Sequence, residues 1–410
     1  FICYTIAIED SGEVILSQPI FFPFPLQRRS LKLTELWLPV LLGCSHGVAD
    51  AAAGFLLGML PHQMSWQQTS WFILLYNLLA FGHQPIAGMV TDRWQRPRAA
   101  VWVGLSCLTL AVLLSQSQPP VAIVLAGIGS AAFHVGGGAL ATLATPNQTL
   151  GAGLFTAPGV VGLAIGGALG IANYPAQGAL ILLLLSLSGA LLPCKLPTID
   201  YSAGIRSQES GVNIANPKSK IQNPQGVRSQ ESGVNIANPK SLIQNPKSTD
   251  RDWLLLVLLS AIALNSVVWT GFQFFLLGKT SVLIALAIAA AIGKLGGSIL
   301  AESWGWRRWS ISALIVAMPL LVLGESHLVA LLAGVALLQS TVPVTLTATV
   351  RLMPQQPATA SSLALGLAIV VSGVLVMGGV TVALGMTVTV MGFLPLTIAA
   401  ISWSIREQEP

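Results

Sequence analysis

The sequence predicts an all-α integral membrane protein with twelve transmembrane helices in two sets of six, and three observations carry this prediction. Hydrophobic residues make up 53% of the 410 residues and the mean hydropathy is +0.74, which is too apolar for a chain whose surface faces water. Twelve apolar stretches each approach the roughly 20 residues that a helix needs to cross a membrane. Charged residues are only 9% of the chain and gather between these stretches.

We number the predicted spans 1 to 12 along the chain. Spans 1 to 6 cover residues 36–59, 70–90, 99–114, 121–143, 151–172 and 177–192. Spans 7 to 12 cover residues 253–277, 281–301, 309–323, 328–350, 360–383 and 387–403, with a short break at Gly385 between the last two. The predicted domains are an N-terminal six-helix bundle at 36–195 and a C-terminal six-helix bundle at 253–405.

The remaining segments are predicted to be two tails and a linker. In the tail at 1–35, Pro19, Pro23 and Pro25 interrupt the apolar residues, so we expect a poorly ordered segment rather than a span. A second tail covers 406–410. The linker at 196–252 contains two polar 22-residue copies, 204–225 and 226–247, which predict a disordered insertion. A regulatory or partner-binding loop is the alternative.

Lysine and arginine are distributed unevenly about the spans. They lie in both tails, in the linker and in the loops after spans 2, 8 and 10, apart from Lys279 on the opposite side and Lys294 within span 8. Because basic residues gather in cytoplasmic loops, we expect both termini to be cytoplasmic. This bias accounts for the net charge of +5, so no nucleic-acid partner is expected.

A charged motif follows span 2, and a related one follows span 8. The first is Gly-Met-Val-Thr-Asp-Arg-Trp-Gln-Arg at 88–96. With the twelve spans it resembles the major facilitator superfamily, whose signature after the second helix is a Gly, three residues, Asp-Arg and a Gly-Arg-Arg cluster. Gln95 and Pro97 depart from that signature. The resemblance implies a latch on the cytoplasmic side, made by Gly88, Asp92, Arg93 and Arg96 with Glu302 and Gly305 of the second motif.

Two further motifs resemble the fosmidomycin-resistance branch of this superfamily. Ser-His-Gly-Val-Ala-Asp occupies 45–50 in span 1, and Gly-Ser-Ala-Ala-Phe-His occupies 129–134 in span 4. Members of the branch carry Ser-His-x-x-x-Asp and Gly-Ser-Ala-x-Phe-His-Pro-Glu there and resemble proton-driven drug exporters. Val135 and Gly136 replace the Pro and Glu, so the carboxylate of the fourth helix is absent.

Asp50 lies near the middle of span 1, where an ionised carboxylate costs about 2.5–3.5 kcal/mol on insertion scales. His46 lies four residues earlier on the same helix face, so the two side chains are predicted to share a proton or form an ion pair. A permanently hydrogen-bonded packing pair is the alternative. The superfamily resemblance adds His134, because spans 1, 4, 7 and 10 line its central cavity.

Further polar residues are predicted to line the same cavity, with interhelical hydrogen bonding as the alternative. They are Asn265, Trp269 and Gln273, which recur every four residues in span 7, and Gln339 in span 10. Lys294 is expected to extend toward the cytoplasmic interface. Small residues of span 5 are predicted to form a packing or hinge face, made by Pro158, Gly159, Gly162, Gly166 and Gly167.

No motif for ATP hydrolysis, metalloproteolysis or acyl transfer is present, and the cysteines lack CxxC spacing. We therefore expect no enzyme, no cofactor and no metal site. With the resemblance, the sequence predicts a secondary active transporter that exports a small molecule in exchange for protons, as a monomer in a bacterial inner or plasma membrane. The alternatives are an importer of a sugar or organic anion, and a transport-inactive membrane scaffold.

Overall fold

The computed structural model describes residues 5–8, 13–17, 31–194 and 248–406. The predicted disordered repeat at 204–247 lies outside the described residues. Before span 1 in the sequence, the described part of the tail forms a small antiparallel sheet in the order β1-β2-β3. Thr5 pairs with Ser17, and Glu13 pairs with Lys32. The strands are β1 Thr5–Ile8, β2 Glu13–Ser17 and β3 Leu31–Lys32.

The first half of the membrane body contains six helical spans. Span 2 is one rod built from two α-helices joined by a π-helical turn. The observed bounds are Leu33–Gln63 for span 1; Trp66–Asn77, Leu78–Gly82 and Gln84–Trp94 for span 2; Pro97–Leu114 for span 3; Pro119–Ala144 for span 4; Leu150–Ile171 for span 5; and Gln177–Leu191 for span 6.

The second half also contains six spans, and one of them, span 11, again contains a π-helical turn. The observed bounds are Ser248–Phe275 for span 7; Thr280–Trp304 for span 8; Trp306–Leu323 for span 9; Leu328–Gln339 and Val342–Leu352 for span 10; Pro357–Ser362, Leu363–Leu367 and Ala368–Met377 for span 11; and Met386–Arg406 for span 12. A short helix, Val380–Leu384, lies between the last two spans.

These helices confirm the predicted fold class. Eleven of the described helices are long and apolar enough to cross a membrane, and Gln177–Leu191 is a shorter apolar helix of 15 residues at the predicted place of span 6. A helix meets this need because it satisfies its backbone hydrogen bonds internally, where lipid offers no partner. The chain is a multi-pass integral membrane protein.

Two predicted spans are less regular than their hydropathy suggested. Span 10 is interrupted at Ser340 and Thr341, where Pro343 has no N–H to bond the carbonyl four residues back. Span 11 ends at Met377, not at 383 as predicted, because Gly379 and Gly385 adopt φ angles of 81° and 77°. Apolar residues continue through the break, so hydropathy alone does not reveal it.

Each half has its own apolar core, and four spans pack between the halves. Leu42, Phe55 and Leu105 are enclosed in the first core, and Leu258 and Leu314 in the second. Span 5 packs on span 8 across the divide, and span 2 packs on span 11. Span 11 also contacts span 4, and span 10 contacts span 5, so the halves meet mainly, but not solely, along the first two helix pairs.

Span 5 packs closely on span 1 through the small residues predicted for it. A Cβ added at Gly162 or Gly166 would collide with the backbone of Gly47 or Ala51, and Pro158 contacts Gly47. Gly167 is different, since a Cβ there would meet only the carbonyl oxygen of Gly54, at 3.9 Å. The close approach brings span 5 backbone within reach of span 1 side chains. A hinge role for this face stays a prediction.

Candidate functional site

Span 1 presents His46 and Asp50 on one face, one helical turn apart. Nε2 of His46 lies 3.2 Å from Oδ2 of Asp50. His134 of span 4 joins them, with its Nε2 at 2.9 Å from Nε2 of His46 and 3.6 Å from Oδ1 of Asp50. The structure thus brings together the three residues predicted from spans 1 and 4, and we call them the His-Asp-His cluster.

Backbone carbonyl groups fix the orientation of both imidazole rings. Nδ1 of His46 lies 2.8 Å from the carbonyl oxygen of Phe155, and Nδ1 of His134 lies 2.8 Å from that of Ser130. Because a carbonyl oxygen can only accept, each Nδ1 carries a hydrogen and donates it. Both Nε2 atoms therefore point toward the carboxylate of Asp50.

An aromatic ring and a glycine of span 5 enclose His46. The ring of Phe155 stacks on the imidazole, with centroids 4.4 Å apart and an interplanar angle of 26°. A Cβ added at Gly159 would lie 2.7 Å from ring carbons of His46, so a side chain there would displace the imidazole. Gly159, predicted only as a packing or hinge residue, thus leaves the space that His46 occupies.

Tyr76 and Ser130 extend the cluster by hydrogen bonds and were missed in the sequence. The Tyr76 hydroxyl donates to Oγ of Ser130 at 3.3 Å, and this Oγ lies 3.3 Å from Nδ1 of His134. Ser130 precedes His134 by four residues on one helix, a spacing that could have indicated it. Nothing comparable in the sequence points to Tyr76, which comes from span 2.

The cluster is buried, but Asp50 retains some access. His46 and His134 are 5% and 6% exposed, whereas the side chain of Asp50 is 14% exposed. An ion or proton that reaches the cluster would therefore arrive at the carboxylate. One carboxylate and two imidazole nitrogens can together hold a cation of small radius.

Lys294 was expected to extend toward the cytoplasmic interface, and the structure places its side chain elsewhere. Its ammonium group donates to the carbonyl oxygen of Thr156 in span 5, at 3.3 Å, rather than extending freely toward the cytoplasmic interface. A neighbouring helix supplies an acceptor before the side chain reaches the interface, which a single-helix argument could not foresee. Lys294 therefore links the second half to the first.

The four cavity residues predicted in the second half are not joined to the His-Asp-His cluster by hydrogen bonds among the described residues. Asn265 is buried, and its Oδ1 has no hydrogen-bond partner in the described part of the chain. Gln339 is buried at the end of the first helix of span 10. Trp269 packs on the apolar core of the second half, and Gln273 is half-buried.

Asp92, which was predicted to belong to a latch, joins the end of span 2 to the start of span 11. Its Oδ1 accepts from the backbone N–H of Ala358 at 3.0 Å, and its Oδ2 accepts from the backbone N–H and hydroxyl of Thr359, both at 2.7 Å. A Cβ at Gly88 would lie 2.8 Å from Cα of Thr359, so glycine permits this approach. A carboxylate of the first half thereby caps the N-terminus of span 11, where the helix dipole favours negative charge.

The end of span 8 forms the corresponding contact with span 5. Oε1 of Glu302 accepts from the backbone N–H of Thr149 at 2.6 Å, at the start of span 5. The Thr149 hydroxyl shares its one hydrogen between this oxygen, at 2.9 Å, and the carbonyl oxygen of Ser298, at 2.7 Å. Trp306 donates its indole N–H to Oε1 of Glu302 at 3.3 Å. Gly305 turns the chain between spans 8 and 9 with φ of 91°, a conformation that other residues rarely adopt.

The two predicted arginines of the latch do not take part in it. The side chains of Arg93 and Arg96 are exposed, and no hydrogen bond or ion pair to the described residues holds them. A third contact, missed in the sequence, uses Arg351 instead. It donates to the side-chain and backbone oxygens of Asn147 and lies over the ring of Trp306, 3.8 Å from its centroid.

Comparison with known proteins identifies the family. Residues 40–377 match the model of the Major Facilitator Superfamily, so the chain belongs to this superfamily of transporters and is not an enzyme. No curated protein matches the chain significantly.

Solved structures of transporters share the fold. A variant of the E. coli fucose:proton symporter FucP has a TM-score of 0.60 at 14% identity, covering 91% of this chain and 98% of its own. FucP in the outward conformation has a TM-score of 0.61 at 14% identity, covering 91% and 99%. The human organic anion transporter MFSD10 has a TM-score of 0.56 at 16% identity, covering 90% and 97%. At these identities the likeness establishes the fold alone.

Proposed function

We propose that this protein exports a small molecule in exchange for protons by alternating access, and that the His-Asp-His cluster carries the proton. One observation supports the proposal most: two imidazole Nε2 atoms lie 2.9 Å apart beside a carboxylate, while both Nδ1 atoms donate to carbonyl oxygens. If both rings are neutral, two lone pairs face each other. A proton on one Nε2 converts that repulsion into a hydrogen bond.

The added proton also balances the charge of the cluster. With one imidazolium beside the carboxylate of Asp50, the three groups together are neutral, which suits a buried site in the membrane. Loss of the proton leaves a buried carboxylate facing two acceptors. His46 and His134 are then expected to separate, and since Phe155 and Gly159 of span 5 surround His46, the packing of spans 1, 4 and 5 changes with the proton.

The latch supplies the second element of alternating access. Asp92 and Glu302 join the two halves at the loops after spans 2 and 8, which the charge distribution assigns to the cytoplasm. In this proposal the described conformation is closed to the cytoplasm, and export requires these carboxylates to release the N-termini of spans 11 and 5. Both chain termini then lie in the cytoplasm of a bacterial cell.

Export is favoured over uptake by the motifs at 45–50 and 129–134, which resemble the fosmidomycin-resistance branch, and by the small-residue face of span 5. The same motifs supply all three residues of the His-Asp-His cluster. Val135 and Gly136, which replace the Pro and Glu of that branch, leave Asp50 as the carboxylate of the cluster. The substrate therefore need not match that of the branch.

A transport assay with Asp50→Asn tests this proposal. Transporter-deficient bacteria expressing equal membrane amounts of wild type, Asp50→Asn or Asp252→Asn would be screened for resistance to a drug and metabolite panel. Asp252 is exposed at the start of span 7 and serves as the matched acid-to-amide control. We expect wild type and Asp252→Asn to export at least one compound in a protonophore-sensitive way, and Asp50→Asn to lose the protonophore sensitivity.

Two results would contradict the proposal. Equal, protonophore-sensitive export by Asp50→Asn would assign the coupling proton to other residues. Failure of wild type to move any compound in or out would favour the scaffold alternative, whereas net uptake driven by protons would favour the importer.

A further inference from the structure

We propose that the His-Asp-His cluster is also a binding site for one divalent transition-metal ion of the zinc class. Its three ligand atoms, Nε2 of His46, Nε2 of His134 and a carboxylate oxygen of Asp50, lie within 4.8 Å of one another. No metal site was expected from the sequence, because the usual spacing motifs of metal ligands are missing from it. The site arises only when spans 1 and 4 come together.

The distances between the ligand atoms suit one shared ion. Around a tetrahedral zinc ion with bonds of about 2.0–2.1 Å, ligand atoms lie about 3.3 Å apart. The separations observed are 2.9 Å between the two nitrogens, 3.2 Å from His46 to Asp50 and 3.6 Å from His134 to Asp50. Shifts of a few tenths of an ångström would place all three atoms on one coordination sphere.

The two histidines also have the hydrogen-bond acceptors that metal-binding histidines usually have. A histidine that binds a metal through one nitrogen usually donates its other N–H to a carbonyl or carboxylate, which fixes the ring and its tautomer. Here the carbonyl oxygens of Phe155 and Ser130 do this for His46 and His134, each at 2.8 Å. Both Nε2 atoms are therefore left with a lone pair that can bind an ion, and they lie 2.9 Å apart.

The ligand types indicate which ions fit. Imidazole nitrogens bind zinc, copper, iron and nickel, whereas magnesium and calcium prefer sites made wholly of oxygen. Two nitrogens and one carboxylate thus select a transition metal. Three protein ligands leave a coordination position open. The partly exposed Asp50 marks the side from which an ion enters, so we expect reversible rather than permanent binding.

This inference goes beyond the proposed function, because it concerns what the three atoms bind and holds for either direction of transport. It can fail while proton-coupled export stands: the protein would then show protonophore-sensitive transport that depends on Asp50 but no metal binding. The converse, metal binding without proton-coupled transport, would reject the proposed function alone.

Equilibrium zinc binding to the purified full chain tests the site. The protein would carry a tag without histidine, be treated with a chelator in detergent, and be titrated with Zn²⁺ by calorimetry and by competition with a chromogenic chelator. His134→Gln and Asp50→Asn remove ligands. His62→Gln and His327→Gln change exposed histidines outside the cluster and serve as matched controls.

We expect one high-affinity Zn²⁺ per wild-type chain, unchanged in the controls. Loss of a side chain that binds the ion directly should weaken binding by more than about 100-fold, beyond the roughly 10- to 100-fold effect of changing a group that only hydrogen-bonds a ligand. Excess Mg²⁺ should not compete. Binding by His134→Gln that equals wild type, or loss of the high-affinity ion in a surface control, would overturn the proposal.

Cobalt provides a measurement that does not depend on how well the variants fold. Wild type loaded with Co²⁺ should show visible absorption typical of four or five ligands including nitrogen, and Zn²⁺ should abolish it at one equivalent. A spectrum like that of hydrated Co²⁺ would reject the site even if every variant were unstable. Size-exclusion profiles of the variants would establish that lost binding is not lost folding.

Discussion

The two halves of this transporter close on each other in the same way but differ in their interiors. Asp92 of the first half caps the N-terminus of span 11, and Glu302 of the second half caps that of span 5. Among the described residues, only the first half has a buried group of three histidine or acidic side chains. In the second half, Asn265 is buried with its Oδ1 unpartnered in the described part of the chain.

This difference indicates how the two tasks of a transporter are divided. Closing one side of the molecule needs a contact on both pairs of interface helices, and a carboxylate contact is present on each pair. Holding a cation needs one set of converging ligands, so a single half can supply it. Variants of four residues test whether these two tasks, holding a cation and closing one side of the molecule, are indeed carried by separate parts of the molecule.

The largest expected effect is that of Gly159→Ala in span 5. The added Cβ would lie 2.5 Å from Nε2 of His46, and overpacking of this kind typically costs about 1–3 kcal/mol, or roughly 5- to 150-fold in an equilibrium. Transport rate and Zn²⁺ affinity should both fall within that range. Gly167→Ala is the control on the same helix, since its Cβ would approach no closer than 3.9 Å to Gly54. Similar losses in both variants would assign the effect to span 5 in general and not to His46.

A second prediction concerns Asp92→Ala, which removes the acceptor from the N-terminus of span 11. Loss of a helix N-cap costs about 0.5–2 kcal/mol, so the ratio of molecules open on the Asp92 side to molecules closed there should rise about 2- to 30-fold. Spin labels at the exposed residues Gln95 and Gln355 would report this as a longer distance between the loops after spans 2 and 10. The same distance distribution as in wild type would show that Asp92 does not hold the halves together.

Glu302→Gln should have a smaller effect of the same sign. Its carboxylate accepts one backbone N–H, the Thr149 hydroxyl and the Trp306 indole, and a glutamine oxygen retains part of this capacity. We expect less than about a fivefold change in the same spin-label ratio, consistent with about 1 kcal/mol for a typical hydrogen bond. If the effects of Asp92→Ala and Glu302→Gln are not additive in the double variant, the two latches open together.

The smallest effect is expected from Asn265→Leu. Replacing a buried polar group that lacks a partner by an apolar one of similar size should leave the thermal unfolding temperature unchanged or slightly higher, by the equivalent of about 1 kcal/mol or less. Transport should persist at the wild-type rate. A marked loss of transport with unchanged stability would instead make Asn265 a substrate contact, as the sequence predicted, and would give the second half a chemical role.

The spans, and the pairing of side chains within one span, follow from the sequence alone. Lipid leaves the backbone no partners outside the chain, so long apolar stretches form helices wherever they occur. Helical periodicity likewise places His46 and Asp50 on one face before any tertiary contact is known. The break within span 10 and the end of span 11 were less predictable, because Pro343, Gly379 and Gly385 act on the backbone while hydropathy continues through them.

Which side chains from different spans meet depends on the tertiary packing and could not be derived from the sequence. Hydropathy does not fix how one helix is rotated against another, so the distance from His134 to His46, the space left by Gly159 and the acceptors of both Nδ1 atoms could not be predicted. Contacts between the two halves could not be predicted either. Lys294 reaches the carbonyl oxygen of Thr156, and Arg351 rather than Arg93 or Arg96 bonds the opposite half, because those contacts depend on how the two bundles dock.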